Sequence, residues 1–235
     1  MFRLKRLEPE GNRNLQDSDS MAKKVENKET EKKSKKEKSF NFKLFNKWDS
    51  NVEVKDPSLA PYITLTPIIL PRTAGYHQKH RFHKSKMHIV ERLALHLFGP
   101  GHQGKRHRKT SGRCAGNFIG AMKIIEGAFD IIEKETKKNP IEVLVRAIEN
   151  ASIREEVTSY QVGSVMVRSA VVTAPQRRID KCLRFFAQGA YLASFNKKKS
   201  AEEALANEIL MSYKGEGSYA MREKERIERE ASGAR

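Results

Sequence analysis

The chain has 235 residues, with 46 lysines and arginines against 29 acidic residues, so its net charge at neutral pH is +17. A positive charge of this size indicates a polyanionic partner, either nucleic acid or an anionic membrane surface. No apolar run approaches the ~20 residues that a membrane-spanning helix needs, and the first residues lack the apolar stretch of a secretory signal. These observations favour nucleic acid in the cytoplasm over a membrane as the partner.

A lysine-rich arm is predicted over residues 1–39, which contain 12 basic and 8 acidic residues. Such a segment cannot bury enough apolar area to offset the entropy lost on ordering, so we expect it to be disordered. It either stays a solvated tail or condenses onto RNA phosphates, and both interpretations remain open. Met21, which precedes Ala22 and two lysines, is an alternative first residue of the protein.

An extended segment with an apolar anchor is predicted over residues 40–85. The anchor consists of the apolar residues Phe40, Phe42, Leu44, Phe45 and Trp48. Four prolines follow, at positions 57, 61, 67 and 71. Because proline fixes φ and removes a backbone donor, this stretch is predicted to lie as a strap over a folded body.

Residues 76–113 form the most basic part of the chain and contain all seven histidines. A short helix is predicted over Lys86–Phe98, because its apolar residues share one face. A basic, glycine-rich loop follows, through Lys109.

Three of these histidines, His77, His80 and His83, have a spacing that resembles a run of metal ligands. Metal-bound imidazoles usually need an acidic residue to orient them, and none lies nearby in the sequence. The neighbouring lysines and arginines would also repel a cation. We therefore predict no metal site, and we expect these histidines to stack on bases or bond to phosphates.

From Asn117 onward, apolar residues recur every three or four positions, which predicts helices with one buried face. A second helix starts at Asn139-Pro140, because Asn caps helices and Pro suits the first helical position. Further helices are predicted after Pro175, after Ser200 and from about Ser218 to Arg229. Ser200 and Glu203 form a capping box, and the predicted buried residues of that helix are Ala201, Leu205 and Ile209.

A β-hairpin is predicted at about residues 156–172, within a stretch rich in β-branched residues. Gly163-Ser164 at its centre is a two-residue turn signal of type II′. Since a lone hairpin is only marginally stable, this one is expected to lean on helices or on RNA. The predicted fold class is therefore mainly α, with about six helices, one protruding β-hairpin and an extended N-terminal segment. The helical domain is placed at residues 86–235.

Basic residues recur through the folded part at spacings that suit consecutive phosphates. Arg177, Arg178, Lys181 and Arg184 lie on the first turns of a predicted helix, where cations oppose the helix dipole unless an anion is present. Charge reversal at Arg177 and Arg178 is expected to abolish RNA binding and to preserve helicity. The complete set of expected RNA-binding residues is Arg81, Lys84, Lys86, Lys105, Arg106, Arg108, Lys109, Arg113, Arg154, Arg168, Arg177, Arg178, Lys181, Arg184, Lys197, Lys198 and Lys199.

No catalytic motif emerges from the sequence. There is no phosphate-binding loop, nucleophile elbow or pair of carboxylates tied to a base. Cys114 and Cys182 lie far apart and are interpreted as packing residues. We therefore expect neither an enzyme nor a bound cofactor.

Several blocks of sequence, in order along the chain, resemble the universal small-subunit ribosomal protein seven family in its archaeal/eukaryotic form. They are Phe42–Trp48, Ile89–Leu93, Asn139–Asn150, Arg154–Glu156, Pro175–Arg178, Lys197–Glu203 and Ser218–Ala220. The resemblance covers about residues 40–235, and the basic loop at 99–113 is archaeal in style.

The resemblance implies a structural protein that binds ribosomal RNA in the head of the small subunit, early in head assembly. It also implies that the hairpin and the C-terminal end lie near exit-site tRNA and the messenger path, beside neighbouring proteins of the head and platform. The expected hairpin residues are Tyr160, Gln161, Gly163, Ser164 and Met166. Two alternatives are a free-standing RNA chaperone and a metal-dependent enzyme that uses the histidine cluster.

Overall fold

The computed structural model describes residues 42–99 and 116–235. The predicted arm at 1–39, the alternative start at Met21 and the side chain of Cys114 lie outside the described residues. No helix in the described ranges is long and apolar enough to cross a membrane.

Six α-helices and one β-hairpin make up the regular structure of the described residues, apart from short 3-10 turns. The helices are α1 (Ile89–Phe98), α2 (Phe118–Thr136), α3 (Pro140–Ala151), α4 (Pro175–Ser194), α5 (Ala201–Lys214) and α6 (Tyr219–Ser232). The strands are β1 (Glu155–Val162) and β2 (Val165–Val172), which pair antiparallel between α3 and α4. The predicted fold class is confirmed.

The core forms around α5, which packs against α2, α3 and α4. Phe129, Leu144, Phe186 and Leu205 have no exposed surface, and burial of each such side chain contributes about 1.5–3 kcal/mol. The prediction that Ala201 is buried is wrong. This residue is exposed because α5 begins at a surface turn and enters the core only from Ala204 onward.

Side-chain caps begin α2, α3 and α5, of which those at Asn139 and Ser200 were predicted. The side chain of Asn117 accepts a hydrogen bond from Gly120 N at 2.6 Å, and that of Asn139 accepts from Ile141 N at 3.0 Å. Ser200 Oγ accepts from Glu203 N at 3.1 Å.

The start of α1 differs from the prediction by three residues, because α1 begins at Ile89 rather than at Lys86. Residues 83–86 form a separate 3-10 turn. His88 then pairs with Thr64 in an isolated β-bridge, and Ile89 N donates to Thr64 O at 3.1 Å. This contact holds the chain extended immediately before the helix.

The hairpin has the predicted two-residue turn, since Val162 pairs with Val165 across Gly163 and Ser164. Gly163 has a φ of +60°, whereas Ser164 is not in the positive-φ region, as a type II′ turn requires. The base of β1 packs against α6, and Arg154 N donates to Glu228 Oε1 at 3.0 Å. The hairpin therefore leans on a helix of its own chain at its base, while its tip is exposed.

The segment before α1 is anchored by Leu44, Trp48, Leu59 and Ile63, all of which are buried. The Trp48 ring meets Phe129 of α2 edge-on at 5.5 Å between centroids, and Trp48 Nε1 donates to Glu133 Oε2 at 3.0 Å. Hydrophobic contact and a polar bond together fix this segment on α2.

An ion cluster around the buried side chain of Arg92 ties this segment, α1 and α4 together. Arg92 of α1 has no exposed side-chain surface; its Nη2 bonds to Asp180 Oδ1 of α4 at 2.8 Å and its Nη1 to Tyr62 O at 2.9 Å. Lys84 Nζ reaches Asp180 Oδ2 at 2.9 Å, and His96 Nε2 lies 3.9 Å from Oδ1. Burial alone would raise the pKa of Asp180, but the neighbouring His96, Arg92 and Lys84 hold it well below the usual range.

Replacement of Asp180 by Asn leaves the Arg92 guanidinium buried without its counter-charge. We expect the free energy of unfolding, measured with urea at pH 7, to fall by about 3–5 kcal/mol. The matched control is Asp130→Asn, which breaks the exposed pair with Lys47 and is expected to cost about 1 kcal/mol or less. Equal losses in the two variants would contradict a structural role for the buried cluster.

His88 is expected to make the fold sensitive to acid. Its Nδ1 accepts a hydrogen bond from Val90 N at 3.3 Å, and burial lowers its pKa to about 4. The folded state therefore requires neutral His88, whereas the unfolded chain takes up this proton below about pH 6.5. The stability from the neutral imidazole is complete above that pH and is lost as the pH falls to about 4, with a total of about 3 kcal/mol.

Urea unfolding between pH 7 and pH 4 measures this dependence. His88→Asn keeps a cap acceptor, so we expect this variant to lose less stability in that window than the wild type. His80→Asn removes an exposed histidine and should retain the full acid-dependent loss. A wild-type profile that is flat between pH 6.5 and 4 would contradict this role of His88.

Candidate RNA-binding surface

The first turns of α4 carry their cations beside a carboxylate of the hairpin. Glu156 of β1 accepts from Arg177 Nε at 2.6 Å through Oε1 and from Lys181 Nζ at 2.5 Å through Oε2. Burial would raise the pKa of Glu156, but these hydrogen bonds hold it below its ordinary value. The ionised carboxylate thus joins the hairpin base to the start of α4.

Arg178, the next residue, has other partners than Arg177 and is largely buried, with 12% of its side chain exposed. Its guanidinium donates to Ser58 Oγ at 2.8 Å and to Ser152 Oγ at 3.1 Å. Its Nη2 also lies 3.4 Å from Asp56 Oδ2. Arg178 therefore holds the extended segment against α4 and the end of α3.

Carboxylates of the same chain balance the cations at the start of α4. The anions that the start of α4 requires are Glu156 and Asp56 of the same chain, so the cations there do not by themselves indicate RNA. Reversal of charge at Arg178 would also break internal bonds, so the double variant with Arg177 is not a clean test of RNA binding. The sequence shows the acidic pair at 155–156, but not which helix it faces.

Arg184, two turns into α4, is exposed and has no carboxylate partner among the described residues. It lines an open groove of about 530 Å³ that runs between the strap and the start of α4. We name this the basic groove, and its lining residues are Phe82, His96, Ala174, Gln176, Arg177, Asp180, Lys181 and Arg184.

Three more of the expected cations lie within four residues of Phe82 in the sequence. Lys84 pairs with Asp180, although 43% of its side chain is still exposed. The Arg81 guanidinium lies 5.0 Å from the centroid of the Phe82 ring. Lys86 is exposed and forms no ion pair within the described ranges. The fold thus brings residues near position 82 next to residues near position 180.

Other expected cations lie elsewhere on the surface. Lys197, Lys198 and Lys199 form an exposed turn between α4 and α5. Arg168 of β2 faces a second groove, which is lined partly by Glu230 and Arg235 near the end of the chain. Arg154 is exposed where the hairpin begins. The remaining five, Lys105, Arg106, Arg108, Lys109 and Arg113, lie outside the described residues.

The hairpin tip is exposed and mostly apolar. Tyr160, Val162, Val165 and Met166 are each between 52% and 62% exposed. Gln161 Nε2 folds back to donate to Gly163 O at 3.0 Å. This tip therefore offers side-chain surface and few charges to a partner.

The three histidines of the strap come close together without forming a metal site. The rings of His80 and His83 lie 4.7 Å apart, and those of His77 and His83 lie 6.4 Å apart. Partial burial, Lys86 and the other two histidines lower the pKa of His83. Among the described residues, no group of three histidines, cysteines or acids is arranged to hold a metal ion.

Comparison with known proteins gives consistent matches. A family model described as "Ribosomal protein S7p/S5e" matches residues 61–235. Proteins named "Small ribosomal subunit protein uS7" match from Nanoarchaeum equitans (48% identity over 195 residues), Methanococcus maripaludis (43% over 197) and Methanothrix thermoacetophila (45% over 195). Each match covers 82% of this chain, and the matches cover 98%, 98% and 100% of the respective relatives.

The family model spans well over half of the chain, and the relatives match over nearly their whole length. The resemblance inferred from the sequence blocks is thereby confirmed. The chain belongs to the ribosomal protein S7p/S5e family.

Proposed function

We propose that the chain is a structural constituent of the small ribosomal subunit, in the cytoplasm, and that it binds ribosomal RNA of the subunit head. Its family is one of ribosomal proteins rather than enzymes, and the matched relatives are named as proteins of the small subunit. The net charge of +17 supports a polyanionic partner. RNA, neighbouring ribosomal proteins and the subunit itself are the partners that follow.

The observation that carries this proposal is the presence of cations that the fold leaves without a carboxylate. Arg184 and the turn Lys197–Lys199 are exposed, and no acidic side chain of the described residues pairs with them. Both positions lie on or beside α4, whose buried face fixes it in the core. Cations at fixed separations can neutralise phosphates that would otherwise repel one another where RNA helices converge.

The expected RNA-binding residues divide into two groups under this proposal. Arg178 is engaged inside the protein, and its role is to position the strap. Arg177 shares Glu156 with Lys181, but 58% of its side chain is exposed, so it can still donate to a phosphate. Arg184 and the turn Lys197–Lys199 form the second group, which has no carboxylate partner among the described residues. This group supplies most of the electrostatic attraction, because its charge is not offset within the protein.

A role in head assembly follows from the same arrangement. A protein that neutralises phosphates of several RNA segments lowers the repulsion that opposes their packing. The helical body, fixed by its buried core, holds the cations in place before the RNA folds around them. We propose that early binding of this kind nucleates assembly of the head.

The hairpin tip is proposed to lie near exit-site tRNA and the messenger path, at the contact between head and platform. Its exposed Tyr160 and Met166 provide surfaces for contact, and Arg168 is the one charged residue between Tyr160 and Val172. A tip with so little charge adds little to the binding of phosphates. Its contribution is to contact partners after the protein has bound through its basic surfaces.

Neutralisation of the exposed lysine turn tests the RNA-binding surface. In Lys197→Gln/Lys198→Gln/Lys199→Gln, we expect weaker binding to transcribed small-subunit ribosomal RNA in filter-binding assays. The slope of log affinity against log salt should become less steep by roughly 0.7–0.9 for each lost phosphate contact, or about 2–3 in total.

The matched control neutralises three exposed lysines of α2 and its end, Lys123, Lys134 and Lys137, which are outside the predicted set. This variant loses the same charge and should keep the salt slope of the wild type. Equal changes in both triple variants would mean that net charge alone governs binding. Sedimentation of cell extract shows whether a tagged chain travels with small subunits. A chain that sediments separately from them would instead favour a free-standing RNA chaperone.

Shortening of the hairpin separates the two proposed contacts. When residues 160–167 are replaced by Asn-Gly, Arg168, the strand bases and their packing on α6 are retained, and we expect unchanged binding to ribosomal RNA. Small subunits assembled with this variant should retain less tRNA in the exit site, measured by filter retention of labelled tRNA. Unchanged retention would contradict the proposed location of the tip.

A further inference from the structure

Phe82 has a solvent-exposed aromatic ring and a backbone conformation that is unfavourable for a bulky residue. Its side chain is 65% exposed, and its backbone has φ 64° and ψ 0°, in the left-handed region. Bulky residues rarely adopt this conformation, and such strain persists only where the surrounding structure imposes it. Only about a third of Phe82 is covered by its own chain, so burial offsets little of this strain.

The contacts that impose this conformation come from the turn that follows Phe82. Ser85 Oγ donates to Phe82 O at 3.0 Å, and Thr64 Oγ1 donates to Ser85 O at 2.7 Å. Lys84 Nζ, between them in the chain, binds Asp180 of α4 at 2.9 Å. The turn is therefore fixed to the strap on one side and to α4 on the other, and the ring lies at the edge of the basic groove.

The chemistry of the basic groove favours RNA over a protein as the occupant. Apart from Phe82, the only apolar residue in its lining is Ala174. Arg177 and Arg184 lie along the groove, and Arg81 stands 5.0 Å from the Phe82 ring. The one acid in the lining, Asp180, is already neutralised by Lys84 and Arg92. One flat apolar ring surrounded by available cations matches a nucleotide, which has a flat base and an anionic phosphate.

We propose that Phe82 stacks on an unpaired base of ribosomal RNA, while Arg184 and Arg177 contact the phosphates on either side. This inference rests on the proposed function and adds that the RNA in the basic groove is single-stranded. A base within a duplex has both faces covered by its neighbours, whereas an unpaired base leaves a face free for an aromatic side chain. The volume of about 530 Å³ is within the range of pockets that hold small ligands.

The test compares Phe82→Leu with Phe82→Tyr in the full chain. The probe is transcribed small-subunit ribosomal RNA of Nanoarchaeum equitans, and binding is measured over a series of salt concentrations. Loss of the ring in Phe82→Leu should weaken binding by roughly 5- to 150-fold at every salt concentration and leave the salt slope unchanged. Phe82→Tyr keeps the aromatic face and should bind within about twofold of the wild type. Arg184→Gln should make the slope less steep by about 0.7–0.9.

Chemical probing of the RNA bases adds a readout that a purely structural role would not change. We expect one unpaired nucleotide to be protected by the wild type and by Phe82→Tyr, and to become reactive with Phe82→Leu. Tyr213→Leu is the control, because it removes an aromatic ring outside the basic groove. Tyr213 lies on α5, and Lys138 Nζ lies over its ring. It should match the wild type in affinity and in protection.

Three results would overturn the inference. One is Phe82→Leu binding as tightly as the wild type, with the same protections. The second is an equal loss in Phe82→Leu and Phe82→Tyr, since the turn and not the ring would then be recognised. The third is normal RNA binding by Phe82→Leu together with loss of a protein crosslink at this position in assembled subunits, which would assign the ring to a protein partner. A wild-type chain that does not bind this RNA would overturn the proposed function and this inference with it.

Discussion

Arg92 buries its whole side chain in the protein, and its guanidinium bonds to Asp180 and to the carbonyl of Tyr62. A guanidinium in such a place is tolerated only with its counter-charge and hydrogen bonds in position, because removal from water is costly. The requirement fixes α1, α4 and the strap relative to one another. The same carboxylate also holds Lys84 and hence the turn that presents Phe82. The geometry of the basic groove depends on this one cluster.

A second consequence is that the positive charge is divided between two tasks. Arg178 and Lys181 are engaged by Asp56 and Glu156, so they join the strap and the hairpin to α4. Arg184 and the turn at 197–199 have no such partner among the described residues. Some cations thus form ion pairs with carboxylates of the same chain and stabilise the fold. The cations without such a partner are available to bind a polyanion. The net charge of the chain measures only their sum.

Much of the fold could be predicted from the sequence because the signals are local. The caps at Asn117, Asn139 and Ser200 act on residues two or three positions further along the chain. The turn at Gly163-Ser164 and the alternating pattern around it specify a hairpin within about twenty residues. The predicted start of α1 at Lys86 is wrong because it depends on a residue far away in the sequence. The bridge between His88 and Thr64 keeps the chain extended, so the helix begins only at Ile89.

The sequence by itself determined the helices, the hairpin and the blocks that identify the family, because each depends on residues that are neighbours in the chain. It also determined the excess of positive charge, which depends on composition alone. Only the tertiary structure decided which cations are paired, since Arg178 meets Asp56 across 122 residues and Arg92 meets Asp180 across 88. It also decided that Phe82 faces a groove of α4 rather than the core. The physical reason is that ion pairs and grooves form between segments that folding brings together, and no periodicity along the chain records which segments meet.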